Sequence, residues 1–227
     1  MNKLLVDKDS TLTIENNVID IEILVKKLEI NIKGKVMLNE ISINDKESIE
    51  LVINVLENSE LIYNKFSKVK NMDDKIVLNI HNKSSVVINH SIIAKDRGIL
   101  MFDSNIKGSN TKCEINIKGV TIEEGSLEIK ATGDVLVNTI DNDFLENIRI
   151  MTLNDKENII IPNLLVSSNE VIVNHNATIG GVDEDSLFYL TSKGLSINSA
   201  TDLIKKGYLI NNLNINKEQK EEIEKYI

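Results

Sequence analysis

The feature that most limits the fold is an alternation of apolar and polar residues that recurs from the start of the chain to about residue 180. In the segment CEINIKG, residues 113–119, the side chains of Cys113, Ile115 and Ile117 fall on one face of an extended strand. The same pattern recurs in LEINIKG (28–34), KIVLNI (75–80), SLEIKA (126–131) and around IIIPNLLV (159–166). Gly, Asn, Asp or Ser separates the runs, so nearly all of this region is predicted to be strand.

Further features favour a coiled stack of strands over a sandwich. The hexapeptide EINIKG occurs twice, at 29–34 and 114–119, which is a weak sign of a repeat fold. The chain has no Trp of the kind that marks immunoglobulin-like cores. It also lacks Asn-Gly and Asp-Gly, the dipeptides that hairpin turns prefer. We therefore predict a mainly β protein, a right-handed parallel β-helix with a small C-terminal α-helical subdomain, although a jelly roll shares this alternation.

After Gly181 the pattern is typical of helices. Asp183 is suited to cap a helix from about Glu184 to Lys193, and Gly194 follows as a left-handed terminator. A second helix fits residues 198–206, closed by Gly207, and a third fits 217–227, capped by residue 216. The predicted domains are thus a strand core over residues 1–181 and a helical subdomain over 182–227.

Aromatic residues are concentrated in this helical region. They are Phe188, Tyr189, Tyr208 and Tyr226. Two interpretations stay open: the rings form an interface with a partner, or they attach the helices to the strand stack.

Composition excludes several classes of protein. The single cysteine, Cys113, rules out an internal disulfide framework, and its alternation with isoleucines predicts a buried structural thiol rather than a sulfur acceptor. The segment MNKLLVDKDS is too poor in apolar residues for a secretory signal, and no apolar run approaches the length of a bilayer span. The net charge is -9, without basic runs interleaved with aromatics. We expect a cytoplasmic protein that binds neither nucleic acid nor membranes.

The segment NHNATIGGVDEDSLFYLTSKGLSINSATDLIKKGYL, residues 174–209, resembles the signature of the SufB/SufD family. The matching elements are a histidine followed one residue later by Ala-Thr, then Ile-Gly, an acidic helix start, LFYL, a KG helix end and a second helix with Ala, Leu-Ile and Gly in order. This family comprises the β-helical components of the SUF machinery, which assembles iron–sulfur clusters. The resemblance implies a parallel β-helix followed by C-terminal helices, here in a short form without the family's N-terminal helical domain.

The resemblance also implies a role for His175, flanked by Asn174 and Asn176. In the SufB type the flanking residues are glutamates, and a cysteine lies one rung upstream, in the region that would correspond here to residues 152–163. This chain has asparagine flanks and no cysteine in that region, so its histidine motif is closer to the SufD type. Two interpretations of His175 stay open: a ligand of a cluster or an interface residue, or a histidine that hydrogen-bonds backbone groups.

In this family the segment matching Asp183 to Gly194 docks on SufC, an ABC-type ATPase. The resemblance therefore implies apolar anchors at Leu187, Phe188, Tyr189 and Leu190 and a polar rim at Asp183, Glu184 and Asp185. The chain has no GxxxxGK[ST] phosphate-binding motif, so ATP hydrolysis is expected in the partner, and this chain is expected to be a non-catalytic scaffold.

The function expected from these features is that of a scaffold or accessory subunit in a SUF-type complex. Its partners would be a SufC-like ATPase and either a SufB/SufD-like subunit or a second copy in a homodimer. It would hold no cofactor of its own, only a transient iron–sulfur cluster shared with a partner, with His175 as the candidate metal ligand. The alternatives are a β-helical carbohydrate-active enzyme, against which the lack of a signal and of paired carboxylates argues, and a structural solenoid without chemistry.

Overall fold

The computed structural model describes residues 2–227, apart from the side chains of residues 2, 46 and 47. Within those residues the chain forms twelve β-strands followed by three α-helices. The strands are β1 (Asn2–Val6), β2 (Ser10–Ile23), β3 (Lys27–Glu47), β4 (Glu50–Val55), β5 (Glu60–Ile80), β6 (Ser85–Ala94), β7 (Arg97–Ile106), β8 (Lys112–Thr121), β9 (Ser126–Val135), β10 (Asn142–Thr152), β11 (Ile159–Val166) and β12 (Val171–Gly180). The helices are α1 (Glu184–Ser192), α2 (Ile197–Ile210) and α3 (Lys217–Glu224). The mainly β class and the three C-terminal helices are confirmed.

Every strand pairing in the described residues is parallel, and the strands stack in two columns. One column contains residues 10–15, 27–32, 50–55 and 75–80, then β7, β9 and β11. The other contains β1, residues 19–23, 36–44 and 60–69, then β6, β8, β10 and β12. The chain alternates between the columns, so each parallel pair is joined by a crossover that includes a strand of the other column. This connectivity is compatible with the predicted β-helix.

Inward-facing apolar residues stack on their equivalents from coil to coil. In the second column Leu38, Tyr63, Ile88 and Ile115 lie at successive register positions. All four are buried, and Cys113 is buried beside them as predicted. Because the alternation has period two, these strands place every second side chain in the core between the columns.

Two ladders of asparagine side chains run along the stack. In the first ladder, each amide nitrogen donates to the amide oxygen of the preceding coil over 2.9–3.2 Å. Its members are Asn39, Asn64, Asn89, Asn116, Asn147 and Asn176. The second ladder joins Asn31, Asn54, Asn79 and Asn105. Stacked amides satisfy each other only when the coils are in register, so both ladders favour this alignment.

The repeated hexapeptide does not mark equivalent positions in this stack. The copy at 29–34 lies in β3 in the first column and ends at Gly34, which has a φ of 70° at the corner. The copy at 114–119 lies in β8 in the second column. The two copies therefore lie in different columns of the stack.

A buried ionic cluster lies inside the early coils. The Nζ atom of Lys65 is 3.4 Å from a carboxylate oxygen of Asp74 and 3.5 Å from one of Glu40. The hydroxyl of Tyr63 donates to the other Glu40 oxygen. All four side chains are buried, and sequence patterning did not predict this cluster.

Helices α1 and α3 begin where their predicted caps place them, whereas α2 begins one residue earlier than predicted and is longer than expected. Asp183, Ser196 and Asn216 cap the three helices through their side chains. The predicted stop at Gly207 was wrong, since α2 continues to Ile210. Its last turn buries Leu209 and Ile210 in a second core, against apolar side chains of β5, β6, β8 and β10, and this packing offsets the helix cost of glycine. None of the helices within residues 2–227 combines the length and apolar character that crossing a bilayer requires.

Candidate functional site

The last coil of the second column brings a glutamate beside the predicted histidine. In the register of β10 and β12, Glu146 lies next to His175. The Nδ1 atom of His175 is 3.3 Å from a carboxylate oxygen of Glu146, and the two side chains are 21% and 1% exposed. Within the described residues β12 pairs only with β10, so the far side of His175 is an open strand edge. A ligand or partner could reach the imidazole from this side.

Burial controls the charge of Glu146. Its neighbour one coil earlier is Ile115, and neither carboxylate oxygen accepts a hydrogen bond from the described residues. Loss of solvation raises the pKa of this carboxyl to about 7. Near neutral pH the carboxyl is therefore partly protonated, and a cation at the same place would stabilise its charged form.

The donor atoms fit part of a metal site. Imidazole and carboxylate both bind iron and related divalent metals, but two side chains do not complete a coordination shell. Within residues 2–227 no group of three or more His, Cys, Asp and Glu side chains is arranged to hold a metal. Burial foremost, and then the charge of Glu146, raises the pKa of the Cys113 thiol, which keeps it protonated.

The two asparagines beside His175 point to the opposite face of β12. Asn176 donates to the Asn147 side chain over 2.9 Å and ends the first asparagine ladder. Asn174 is exposed at the position next to Leu145. Since neighbouring residues of a strand alternate between faces, the ladder and His175 lie on different sides of the sheet.

Helix α1 is closed at both ends by residues that the sequence indicates. The Asp183 carboxylate accepts a hydrogen bond from the Ser186 backbone N–H over 2.8 Å. Hydrogen bonding by the Ser186 side chain first, and then by its backbone N–H, lowers the pKa of Asp183. At the other end Gly194 has a φ of 94°, and the N–H groups of Gly194 and Leu195 donate to the Thr191 and Leu190 carbonyls. This pattern is a Schellman motif. Asp183 and Gly194 therefore have structural roles, Asp183 as the N-terminal cap of α1 and Gly194 as its C-terminal terminator. Glu184 and Asp185 are exposed in the first turn.

The side chains of α1 divide into an inner and an outer set. Leu187 and Leu190 are half-buried, whereas Phe188 and Tyr189 are 74% and 60% exposed. Three apolar residues that sequence reasoning missed, in α2 and the linker before it, are also exposed. We call the helical apolar surface the set Phe188, Tyr189, Leu195, Ile197 and Leu203. Exposed apolar residues in such number are typical of an interaction site.

The other two aromatic residues of the helical subdomain are packed rather than exposed. Tyr208 and Tyr226 pack against the second core, which attaches the helices to the strand stack. The aromatic residues thus separate into an attached pair and an exposed pair.

Comparison with known families gives a match that covers most of the strand stack and the first two helices. A family model described as SUF system FeS cluster assembly, SufBD core domain, matches residues 53–208, more than half of the chain. The chain belongs to the SufB/SufD family. The match begins in β4 and ends in α2, so it includes His175, Glu146 and all of α1.

Two curated relatives carry the description iron-sulfur cluster assembly SufBD family protein. The one from Methanocaldococcus jannaschii is 30% identical over 106 residues, which are 46% of this chain and 32% of the relative. The one from Pyrococcus horikoshii is 46% identical over 48 residues, 21% of this chain and 11% of the relative. The matched segments thus cover a third or less of the relatives' own lengths.

The register corrects one expectation drawn from the SufB/SufD resemblance. The residue one rung upstream of His175 is Glu146, not a residue between 152 and 163. The expectation failed because the chain leaves this column after Thr152 to form β11 in the other column. The sequence did contain a signal for Glu146. Among the inward-facing residues Phe144, Glu146 and Ile148 of β10, it is the only charged one.

Proposed function

We propose that this chain is a non-catalytic scaffold or accessory subunit of a cytoplasmic SUF-type complex that assembles iron–sulfur clusters. The observation that carries the proposal is the SufBD core match over residues 53–208, which spans both the strand stack and the first helices. The coils wind as a right-handed β-helix, since parallel strands joined by crossovers are right-handed almost without exception.

The helical subdomain, residues 182–227, docks on a SufC-like ABC ATPase. Support comes from the helical apolar surface, where Phe188 and Tyr189 offer large exposed rings beside the half-buried Leu187 and Leu190. Aromatic anchors with a polar rim are typical of interface hot spots, and Asp183, Glu184 and Asp185 supply such a rim. ATP hydrolysis takes place in the partner, because the chain has no phosphate-binding GxxxxGK[ST] motif.

The β-helix, residues 1–181, pairs with a SufB/SufD-like subunit or with a second copy in a homodimer. Support comes from the open edge formed by β11 and β12, where Leu165 and Ile172 are 55% and 66% exposed. An unpaired strand edge with apolar neighbours is a template for association with another chain. Pairing there would cover His175 with residues of the partner.

The role at His175 is SufD-like. The cluster is cargo rather than a resident cofactor, and His175 with Glu146 contributes at most two donors to it. Thiolates must come from the partner, since Cys113 is buried and protonated. The asparagine flanks support the same assignment, because amides are poor iron ligands.

The test is an anaerobic pull-down from the native host with tagged wild-type chain, Phe188→Asp and a matched control, Val137→Asp. Val137 is a 63% exposed apolar residue in the loop after β9, far along the chain from α1. The wild type and the control should retain an ABC-type ATPase that Phe188→Asp loses. Iron and sulfide in the retained complex should fall in His175→Ala. Absence of an ATPase from the wild-type complex would contradict the proposal.

A further inference from the structure

A groove of about 650 Å³ lies between α1 and α2, on the side that faces the strand stack. Its walls include the rings of Tyr189 and Tyr208 and the aliphatic side chains of Leu190, Leu203 and Ile204. Lys118 of β8 also lines it. The walls are therefore mainly apolar, with Lys118 on the strand side and the carboxylate of Asp185 on α1. The volume is within the range of ligand-binding pockets.

A second cation lies beside Lys118 on the neighbouring strand. In the register of β8 and β10, Arg149 lies directly beside Lys118. The Lys118 Nζ donates to the Tyr208 carbonyl over 3.3 Å and lies 4.9 Å from the centroid of the Tyr208 ring. The Tyr208 hydroxyl in turn donates to the Arg149 carbonyl over 2.8 Å, which fixes this wall of the groove.

The surroundings of the Lys118 side chain disfavour its protonated, charged form. Burial first, and then the positive charge of Arg149, lowers the pKa of Lys118. Across the part of the chain that the structure describes, neither cation forms an ion pair with a carboxylate. A carboxylate that entered the groove would relieve both the burial cost and the repulsion.

We propose that this groove binds a segment of the partner ATPase in which a carboxylate side chain is next to a large apolar side chain. Lys118 and Arg149 pair with the carboxylate, and the tyrosine and aliphatic walls hold the apolar group. The inference rests on the proposed function and adds to it the chemistry of the partner's segment. The exposed ring of Phe188, which lies on α1 outside the groove, contacts the same partner.

The test measures the affinity of the purified ATPase for the purified full chain. The double variant Lys118→Glu, Arg149→Glu is compared with Lys83→Glu, Lys107→Glu, which makes the same charge change at exposed turn positions. The groove variant should weaken binding at least about tenfold, and the control less than about twofold. Raising the salt from about 50 to about 500 mM should weaken wild-type binding and leave the groove variant nearly unaffected. If the double variant does not fold, Arg149→Glu alone carries the test, because that side chain is exposed.

The outcomes separate the two levels of the proposal. Equal affinity of wild type and groove variant overturns the groove inference and leaves the proposed docking intact. Failure of the wild type to bind the ATPase overturns both. If the groove variant alters only self-association in sedimentation, the occupant is a second copy of this chain and the inference as stated is wrong.

Discussion

Replacing Glu146 with glutamine should remove a pH-dependent penalty from the stability of the fold. The pKa of Glu146 rises from its ordinary value of 4.5 to about 7 because the carboxyl is buried. Between these values the unfolded chain loses a proton that the folded chain keeps, so the wild type becomes less stable as pH rises. At about 1.4 kcal/mol per pH unit, the full penalty above pH 7 is on the order of 3 kcal/mol.

The assay is urea unfolding of wild type and Glu146→Gln at several pH values between about 5 and about 8. The stability of the variant relative to wild type should increase by about 2–3 kcal/mol across this range. Any cost of burying an amide is independent of pH, so it shifts the whole curve without changing this slope. Glu170→Gln, at an exposed position, is the control. A relative stability of Glu146→Gln that does not change with pH would refute a desolvated carboxyl at this position.

Three further substitutions, two of them paired with a control substitution, test the architecture. Lys65→Met should destabilise the fold by about 3–5 kcal/mol in urea unfolding, because two buried carboxylates lose their cation. Its control, Lys70→Met, removes the cation of an exposed ion pair and should cost less than about 1 kcal/mol in the same assay. Asn64→Ala should cost about 2–3 kcal/mol, since this buried amide bonds both ladder neighbours and the backbone of residue 214. Asn176→Ala, at the exposed end of the ladder, should change the free energy of unfolding by less than about 1 kcal/mol. Gly194→Ala should lower the stability by about 1–2 kcal/mol, seen in the thermal midpoint, because φ is 94°. Equal effects of the two asparagine variants, or a neutral Gly194→Ala, would contradict the ladder and the helix ending respectively.

Local signals predicted much of the fold. The alternation around Cys113 and Ile115 is a property of single strands, and it correctly predicted their buried face. The cap at Asp183 and the terminator at Gly194 depend on a few neighbouring residues, and both are confirmed. Gly207 failed as a terminator because tertiary packing of the last turn of α2 outweighs a local preference.

The sequence did not reveal which residues of successive coils lie beside one another. Successive ladder asparagines are 25, 25, 27, 31 and 29 residues apart, so no constant period reveals that they align. For the same reason Glu146 could not be matched to His175, although its inward position in β10 was visible. The ionic cluster of Lys65 likewise joins residues whose proximity follows only from the register.

The most direct test of a SUF scaffold role starts from the partner. The SUF-type ABC ATPase of the native host is tagged and purified anaerobically, and the intact complex is weighed by native mass spectrometry. A mass that includes this chain, and that loses it when the chain carries Phe188→Asp, is the predicted result. An ATPase complex that forms with other subunits and never contains this chain would contradict the proposed function.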